Sequence, residues 1–331
     1  MPPYPFVSQA LLYDVFNGDA DGICALLQLR LEADEPAARL VSGVKRDIRL
    51  LEGIEVAPGD RLTVLDVSLD ANRAGLERVL ALGAEVHWFD HHYAGEMPQH
   101  DRLRACIDTS AQVCTSLLVD RHLGGALHTW AIVGAFGDAL TETAARLAHE
   151  AGFDAQQTGQ LRELGELLNY NAYGESVADL RYPPEALYRL LKYYRRPFTF
   201  IAESQAFREL REGYREDLRY AAELRPAHAG ADGVVYMLPD TAWARRASGV
   251  FANRLAAAHP ARAVAVLTAR PAGGYVVSVR APKTRPEGAD ALCRQFESGG
   301  GRKAAAGINH LPESEVNRFL AAFAAAGWAA G

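Results

Sequence analysis

The chain has 331 residues and a formal net charge of −6. At roughly 150 residues per domain, this length predicts about two domains. Its 49% hydrophobic and 23% charged residues are typical of globular rather than disordered proteins. No apolar run is long enough to span a membrane, the start lacks a signal-peptide pattern, and the cysteines form no C-x-x-C pair. We therefore expect a cytoplasmic protein without a structural zinc site or a disulfide framework, and the acidic balance argues against nucleic-acid binding driven by overall charge.

The first part of the chain alternates β-like runs with patterns of apolar residues at helical spacing. Strands are predicted over residues 11–16, 39–44, 62–67, 85–89 and 105–107. Helices are predicted between them, over residues 23–31, 46–51 and 73–82. This alternation predicts a parallel sheet with helices on both faces. The stretch that follows, from residue 115 to about residue 194, is predicted to be mainly helical.

A second pattern follows a charged segment. Residues 199–226 carry Glu, Arg and Asp around most of a predicted helix, as an exposed connector between domains does. Beyond it, strands are predicted over 233–238, 263–268 and 275–281, and helices over 246–258 and 312–323. The sequence thus predicts an α/β protein with two domains facing each other across a cleft. The predicted parts are a parallel-sheet domain over 1–198, a helical connector over 199–226 and a smaller mixed α/β domain over 227–331.

Acidic and histidine side chains stand at the ends of several predicted strands. In chain order the groups are Asp19 with Asp21, then Asp66, then Asp90-His91-His92, and finally Asp138 after an apolar stretch. Because ligands bind at the carboxyl ends of strands in an open parallel sheet, the first three groups should converge. Convergent carboxylates repel one another unless a cation neutralises them, and Asp with His is a ligand set for Mn²⁺ and Mg²⁺. A bridging Asp66 would hold two ions roughly 3.5–4 Å apart, the spacing of two-metal phosphoester hydrolysis.

Each of these groups taken alone has a simpler interpretation. Asp66 or Asp138 is typical of a turn or a helix cap. Residues 19–22 are typical of a tight turn or of a calcium loop, although the remaining ligands of an EF-hand are missing. Residues 90–92 are harder to explain in that way, because three polar side chains directly after an apolar strand need partners when buried. The occurrence of all the groups in strand order favours a metal site.

The order and spacing of these groups resemble the four motifs of the DHH phosphoesterase superfamily. That superfamily includes RecJ-type exonucleases, nanoRNases that also dephosphorylate adenosine bisphosphate, cyclic dinucleotide phosphodiesterases and family II pyrophosphatases. The resemblance implies a site for two manganese ions, with magnesium as the other candidate. It implies a set of metal ligands with Asp66 bridging the ions, namely Asp19, Asp21, Asp66, His91 and Asp138. It also implies that Asp90 orients the histidine pair and that His92 faces the substrate phosphate, which makes these two the catalytic residues.

The sequence departs from the superfamily pattern near the first motif. Many relatives have a histidine four residues before the first Asp, and Val15 stands at that position here. Asn17 stands where RecJ-type members carry an aspartate. Because an amide oxygen is a weaker ligand than a carboxylate, Asn17 is expected to be a weak metal ligand, and the first ion is expected to bind loosely or through water.

A glycine-rich segment near the C-terminus is the second candidate site. Gly299, Gly300 and Gly301 permit a backbone whose N–H groups cradle phosphate oxygens. Arg280 and Arg302 lie in a segment where basic residues outnumber acidic ones, and Arg binds phosphate through two hydrogen bonds. A flexible loop with solvated charges is the alternative interpretation.

The same segment resembles the DHH-associated C-terminal domain. The signature of that domain is three glycines, a histidine, two variable residues and Ala-Ala-Gly, and Arg302 stands here in place of the histidine. The resemblance implies that the glycine triplet, Arg280 and Arg302 hold a terminal phosphate or the backbone of the substrate.

These implications predict a phosphoesterase that hydrolyses short oligonucleotides or nucleotide phosphates by attack of a metal-activated hydroxide, as nanoRNases do. Exonucleases of this group carry an added module that binds single strands, and no such module is expected in this chain. An acidic chain also suits long polyanions poorly, so short substrates are expected. A RecJ-like single-strand exonuclease is the alternative enzyme. The alternative of another class is a non-catalytic nucleotide-binding protein, in which Val15, Asn17 and Arg302 record lost catalysis. No membrane partner is expected, and the sequence leaves the oligomeric state open, a homodimer included.

Overall fold

The computed structural model describes residues 10–230 and 233–328. The chain divides into two compact units, the first ending at Arg211 and the second beginning at Glu212. The first contains a parallel sheet and the second a mixed sheet, each combined with helices, so the predicted α/β class is confirmed. In the part of the chain that is described, no helix is both long and apolar enough to cross a membrane.

The sheet of the first unit has five strands, and every neighbouring pair is parallel. In spatial order the strands are β2 (Arg39–Val41), β1 (Leu12–Phe16), β3 (Arg61–Leu65), β4 (Glu85–Asp90) and β5 (Leu103–Ile107). All five predicted strands are therefore confirmed, with ends that shift by up to three residues. Because the strands are parallel, their carboxyl ends all lie at the same edge of the sheet.

Nine helices begin among the described residues of the first unit, most of them after the sheet. They are α1 (Ala20–Glu32), α2 (Arg73–Ala81), α3 (Thr115–His122), α4 (His128–Gly137), α5 (Thr141–Glu150), α6 (Ala155–Tyr170), α7 (Pro184–Leu191), α8 (Pro197–Glu203) and α9 (Gln205–Ala222). The mainly helical stretch predicted after residue 115 is confirmed by α3 to α7.

Helices cover both faces of this sheet, as predicted. Val15 of β1 is fully buried in an apolar cluster that includes Leu76 of α2. Since side chains alternate along a strand, the neighbouring Asp14 points to the other face, where Arg30 of α1 bonds it at 2.9 Å. The alternation in β1 thus directs one set of side chains to α2 and the other to α1.

The helix predicted over residues 46–51 is wrong. These residues form turns and irregular backbone, and a side chain from another segment satisfies an N–H that a helix would pair internally. Asp47 accepts the N–H of Val44 at 3.0 Å, and Asn72 accepts the N–H of Leu51 at 3.2 Å. Short polar side chains compete with helical hydrogen bonding in this way. The apolar spacing arose because Leu51 fills the core beneath α2.

The second unit is built on a six-stranded mixed sheet in which only the β7–β8 pair is parallel. In spatial order its strands are β10 (Gly299–Gly301), β11 (Ala305–Leu311), β9 (Tyr275–Arg280), β8 (Ala263–Ala269), β7 (Gly233–Leu238) and β6 (His228–Ala229). Its helices are α10 (Ala242–Ala258), α11 (Ala289–Cys293) and α12 (Val316–Ala325). The three predicted strands are confirmed, and the terminal helix begins at Val316 rather than at residue 312.

The predicted connector is two helices rather than one. Ser204 separates α8 from α9, and the division between the two units falls inside α9. The helix α9 is not exposed on all sides, since Phe207 and Leu210 are buried in its first half and Leu218 joins an apolar cluster of the second unit. This apolar stripe is hard to recognise in the sequence because charged residues surround it.

Candidate metal centre

The loop after β1 leads directly into α1, and Asp19 caps that helix. Its Oδ1 atom accepts the backbone N–H groups of Asp21 at 3.0 Å and Gly22 at 3.1 Å. Its Oδ2 atom accepts a hydrogen bond from the ammonium group of Lys45. Burial alone would raise the pKa of Asp19, but the nearby Lys45 charge holds it below its usual value. Because the cap uses Oδ1, Oδ2 is the oxygen of Asp19 that remains for a cation.

Asp21 is fully buried and held by the N-terminus of α3. Its two carboxylate oxygens accept the backbone N–H groups of Thr115 and Ser116, each at 2.7 Å. The hydroxyl of Thr115 also donates to Asp66 Oδ1 at 3.0 Å. Unpaired N–H groups at a helix N-terminus favour negative charge. Helix α3 therefore positions two carboxylates of the cluster, a role that the sequence motifs did not reveal.

Asp66 follows β3 in a strained backbone conformation. Its φ angle is 59°, in the left-handed region, and its N–H bonds to the carbonyl of Phe89 at 3.0 Å. Such a conformation costs of order 1–3 kcal/mol in a residue other than glycine and is common at functional sites. Burial and the charges of Asp21 and Asp19 raise the pKa of Asp66 well above its usual value. The fold thus holds a carboxylate where its own charge is unfavourable without a cation.

The Asp90-His91-His92 motif begins at the end of β4 and presents two imidazoles. Asp90 is fully buried, and its Oδ1 contacts the Nδ1 of His92 at 2.7 Å. This hydrogen bond raises the pKa of His92. The Nε2 atom of His91 lies 3.5 Å from Asp66 Oδ1 and 3.9 Å from Asp21 Oδ2. Asp90 therefore orients His92, while His91 points among the carboxylates.

Asp138 enters the same cluster from the end of α4. Its Oδ2 lies 3.8 Å from His91 Nε2, and burial followed by the charge of Asp21 raises its pKa to about 6. Gly137 permits this approach, because a Cβ atom there would lie 2.2 Å from the Cβ of Ala20. The close packing of α4 against the start of α1 thus brings a distant residue of the sequence into the cluster.

Two groups in this cluster have the geometry to hold a metal ion. One group is Asp66, His91 and His92, and the other is Asp21, His91 and Asp138; within each, the possible ligand atoms lie within 4.8 Å of one another. Carboxylate oxygens with imidazole nitrogens suit Mn²⁺ and Mg²⁺. The Oδ2 atom of Asp90 is buried and finds no hydrogen-bond partner among the described residues. The donor set therefore fits divalent cations.

Asn17 and Asp19 lie next to this centre but outside both groups. The side-chain oxygen of Asn17 accepts the N–H of Asp19 at 3.2 Å, and its amide nitrogen donates to the carbonyl of Lys45 at 3.4 Å. Both ends of the Asn17 side chain thus hold the surrounding loops. The assignment of Asn17 and Asp19 as metal ligands stays a prediction.

Lys45 is the residue of the centre that sequence reasoning missed. Besides Asp19, its Nζ atom contacts Asn169 Oδ1 at 3.1 Å and lies 3.9 Å from Asp138 Oδ1. Although burial lowers the pKa of Lys45, the charges of Asp19 and Asp138 raise it well above its usual value. The available signal was position, since Lys45 follows a predicted strand whose carboxyl end lies at the same edge as the acidic motifs.

The second predicted site lies in the mixed sheet and is ordered. The glycine triplet forms β10, which pairs with β11 in a hairpin. The segment is therefore a strand rather than the flexible loop of the alternative interpretation. A Cβ atom at Gly299 would lie 1.7 Å from the carbonyl oxygen of Cys293, which explains the glycine at that position. Arg302 stands exposed at the turn, and its N–H bonds to the carbonyl of Ala305 at 2.9 Å.

Arg280 lies at the end of β9, beside this hairpin. It pairs with Ala305 of β11, and its Nε donates to Asn253 Oδ1 at 2.7 Å. The sheet of the second unit therefore brings Arg280 and the glycine hairpin to one region, while the role of these residues in phosphate binding stays a prediction.

The fold is similar to that of solved nucleases and phosphodiesterases. A structure of exonuclease RecJ bound to manganese matches with a TM-score of 0.57 and 20% identity, over 96% of this chain and 90% of that one. The RecJ of Thermus thermophilus in complex with Mn²⁺ gives the same TM-score and identity, over 96% of this chain and 52% of that one. The pGpG-specific phosphodiesterase PggH from Vibrio cholerae matches with a TM-score of 0.54 and 16% identity, over 94% of this chain and 97% of that one. At these identities the likeness shows a shared fold. No model of a known protein family matches the chain, and no curated protein is similar to it in sequence.

Proposed function

We propose that the chain is a metal-dependent phosphoesterase of the DHH type that hydrolyses short oligonucleotides or nucleotide phosphates. The observation that carries this proposal is the convergence of Asp21, Asp66, His91 and Asp138 at the carboxyl edge of the first sheet. These side chains occur in a fold that is similar to manganese-bound RecJ. Four buried or half-buried groups of this kind have little structural use without a cation.

The chemistry follows from the positions of the chain's own groups. Bound divalent cations would activate water for attack on phosphorus and offset the charge of the phosphate oxygens. Asp90 holds His92 through Nδ1, which leaves the other imidazole nitrogen of this half-exposed residue for a hydrogen bond to the substrate phosphate. Thr115 and the N-terminus of α3 fix Asp21 and Asp66, so the ligand oxygens need little rearrangement when an ion binds.

The second unit would supply the contacts to a phosphate that does not react. Arg302 is exposed at the turn of the glycine hairpin, and Arg280 lies in the neighbouring strand. Arginine binds phosphate through charge-assisted, often bidentate hydrogen bonds. A short substrate is supported by the likeness to PggH, which is named as specific for the dinucleotide pGpG and is covered over 97% of its length.

A single-strand exonuclease is the second candidate, favoured by the match to exonuclease RecJ. A non-catalytic nucleotide-binding protein fits the site less well. Val15, one of the residues that suggested lost catalysis, is buried in the apolar core beneath α2. The groups that could hold metal are present despite this departure.

The test is a substrate panel with the purified full chain. We would compare dinucleotides, 5-mers, long single strands of DNA and RNA, adenosine bisphosphate, pyrophosphate and cyclic dinucleotides, each with Mn²⁺, with Mg²⁺ and after treatment with a chelator. The proposal predicts metal-dependent hydrolysis of dinucleotides, 5-mers or adenosine bisphosphate, with little turnover of long strands. Preference for long strands would establish the exonuclease instead, and absence of hydrolysis with either Mn²⁺ or Mg²⁺ would overturn the enzymatic proposal.

A further inference from the structure

The carboxylate cluster contains a cation that belongs to the protein itself. The ammonium group of Lys45 bonds to Asp19 Oδ2 and lies 3.9 Å from Asp138 Oδ1. The side chain of Lys45 is only 27% exposed, so its charge is little screened by solvent. The carboxylates near Lys45 are thus partly neutralised before any metal ion binds.

Lys45 occupies the one oxygen of Asp19 that a metal ion could use. The other oxygen, Oδ1, caps α1 by accepting the N–H groups of Asp21 and Gly22. Asp19 belongs to neither of the groups, found among the described residues, whose ligand atoms lie within 4.8 Å of one another. A metal ion that approaches Oδ2 of Asp19 therefore meets the positive charge of Lys45 at that oxygen.

Contacts with several segments of the chain fix the position of Lys45. Its backbone N–H donates to the carbonyl of Ala172 at 2.9 Å, and its carbonyl accepts the amide of Asn17 at 3.4 Å. Its ammonium bonds to Asn169 Oδ1 at 3.1 Å and lies 5.9 Å from the ring centroid of Tyr173. These contacts fix both the backbone and the side-chain end of Lys45, unlike those of a surface lysine that finds a carboxylate by chance.

We propose that Lys45 is a resident counter-cation that competes with a metal ion for Oδ2 of Asp19 and thereby weakens metal binding on that side of the centre. The inference rests on the proposed function only in treating the carboxylate cluster as a metal centre. Two cations that share a poorly solvated carboxylate repel each other strongly at separations of about 4 Å. The occupancy of the centre is therefore set by the exchange of one cation for another.

The test is calorimetric titration of the chelator-treated full chain with Mn²⁺. Lys45→Met removes the competing charge, and the proposal predicts that Mn²⁺ binds at least about 10-fold more tightly than in the wild type. Lys45→Arg keeps the charge and should bind Mn²⁺ like the wild type. The matched control is Lys192→Met, which removes a lysine paired with Asp34 outside the cluster and should leave the affinity unchanged.

A purely structural role of Lys45 predicts the opposite sign. If Lys45 only orders Asp19 and Asn169, then Lys45→Met loosens the site, and an unchanged or weaker Mn²⁺ affinity in that variant overturns the proposal. Lys45→Gln is the second variant, because it removes the charge and keeps a group that can bond to Asn169. Lys45→Gln should also bind Mn²⁺ more tightly than the wild type. If Lys45→Met does not fold, the Mn²⁺ affinity of Lys45→Gln tests the proposal in its place.

The outcome is separable from that of the proposed function. Tighter Mn²⁺ binding by Lys45→Met, with no hydrolysis of any substrate by the wild type, would support the role of Lys45 and reject the enzymatic proposal. Substrate hydrolysis by the wild type, together with unchanged Mn²⁺ affinity in the variants, would support the enzymatic proposal and reject the role of Lys45. Failure of the wild type and of every variant to bind Mn²⁺ would overturn both.

Discussion

The two candidate sites place their charged residues in opposite environments. In the first unit the carboxylates of Asp21, Asp66 and Asp90 are buried, and backbone amides, a hydroxyl and an imidazole hold them in place. In the second unit Arg302 is exposed at a hairpin turn. Removing one member of a buried charged cluster disturbs the remaining members, whereas an exposed charge acts almost alone. We therefore expect all-or-none effects from substitutions in the buried carboxylate cluster and graded effects from substitutions at the exposed hairpin.

The largest expected effect tests the all-or-none side of this comparison. Asp66→Asn should reduce Mn²⁺-dependent hydrolysis by at least about 10³-fold, because an amide is a poor replacement for a carboxylate that offsets the charge of a metal ion. Asn tolerates the left-handed conformation with a φ angle of 59° at this position. In chelator the melting temperature of the variant should equal or exceed that of the wild type, since a buried repulsive charge is removed. A variant that melts like the wild type and keeps its turnover would place the chemistry elsewhere.

A graded effect is expected at the exposed arginine of the second unit. Arg302→Ala should raise KM by about 10- to 150-fold, the loss of a charge-assisted contact worth about 1.5–3 kcal/mol. The value of kcat should change less, because Arg302 does not belong to the groups that could hold metal. Lys303→Ala removes an equal charge from the same turn and serves as the control. If both variants keep the wild-type KM on every substrate, the hairpin has no part in binding.

Substitutions in the glycine triplet test the structural role of the hairpin in the second unit, as distinct from its role in binding. Gly301→Ala should lower stability by about 1–3 kcal/mol, because the φ angle of Gly301 is 135° and a Cβ atom would lie 2.5 Å from the Cα of Ala306. Gly300→Ala is the matched control, since a Cβ atom there meets nothing within 4 Å. Thermal unfolding measures both variants. Equal melting temperatures would contradict the packing argument.

The smallest expected effect concerns a pH-dependent pair in the first unit, outside the cluster. The Nδ1 of His128 lies 2.6 Å from Asp120 Oδ2, and this hydrogen bond raises the pKa of His128. A raised histidine pKa contributes stability that is present below the ordinary value of about 6.5 and is lost as the pH rises through the folded value. His128→Gln should therefore lower the free energy of unfolding by about 0.5–1 kcal/mol at most at pH 5.5, and by less at pH 9. Melting temperatures at the two pH values measure the difference. An equal loss at both pH values would show that charge plays no part.

The sequence predicted the parts of the fold and of the centre that depend on regular patterns. The alternation of strands and helices predicted the first sheet. The rule that parallel strands end at one edge predicted from the sequence alone that Asp21, Asp66 and His91 lie close together. Asp138 was found by its place in the motif order, although a helix rather than a strand carries it. The helix expected over 46–51 failed because Asn72, a residue far along the chain, supplies the hydrogen bonds that hold that segment.

The parts that could not be predicted depend on contacts between distant segments. The position of Lys45 after a predicted strand puts it at the same edge as the acidic motifs, but its contacts with Asp19 and Asn169 are not indicated by any spacing in the sequence. In the same way, the support of Asp21 by α3 comes from backbone amides, which every residue except proline carries and no motif records. Sequence reasoning identified the charged groups, whereas the structure was needed to identify what neutralises and orients them.

The most direct test of the central claim is the amount of Mn²⁺ bound at equilibrium by the chelator-treated chain, measured by dialysis for the wild type and for Asp66→Asn. We expect that the wild type binds Mn²⁺ and that Asp66→Asn loses most of this binding while remaining folded. Equal binding of Mn²⁺ by the two proteins, or none by the wild type, would contradict the assignment of the carboxylate cluster as a metal centre.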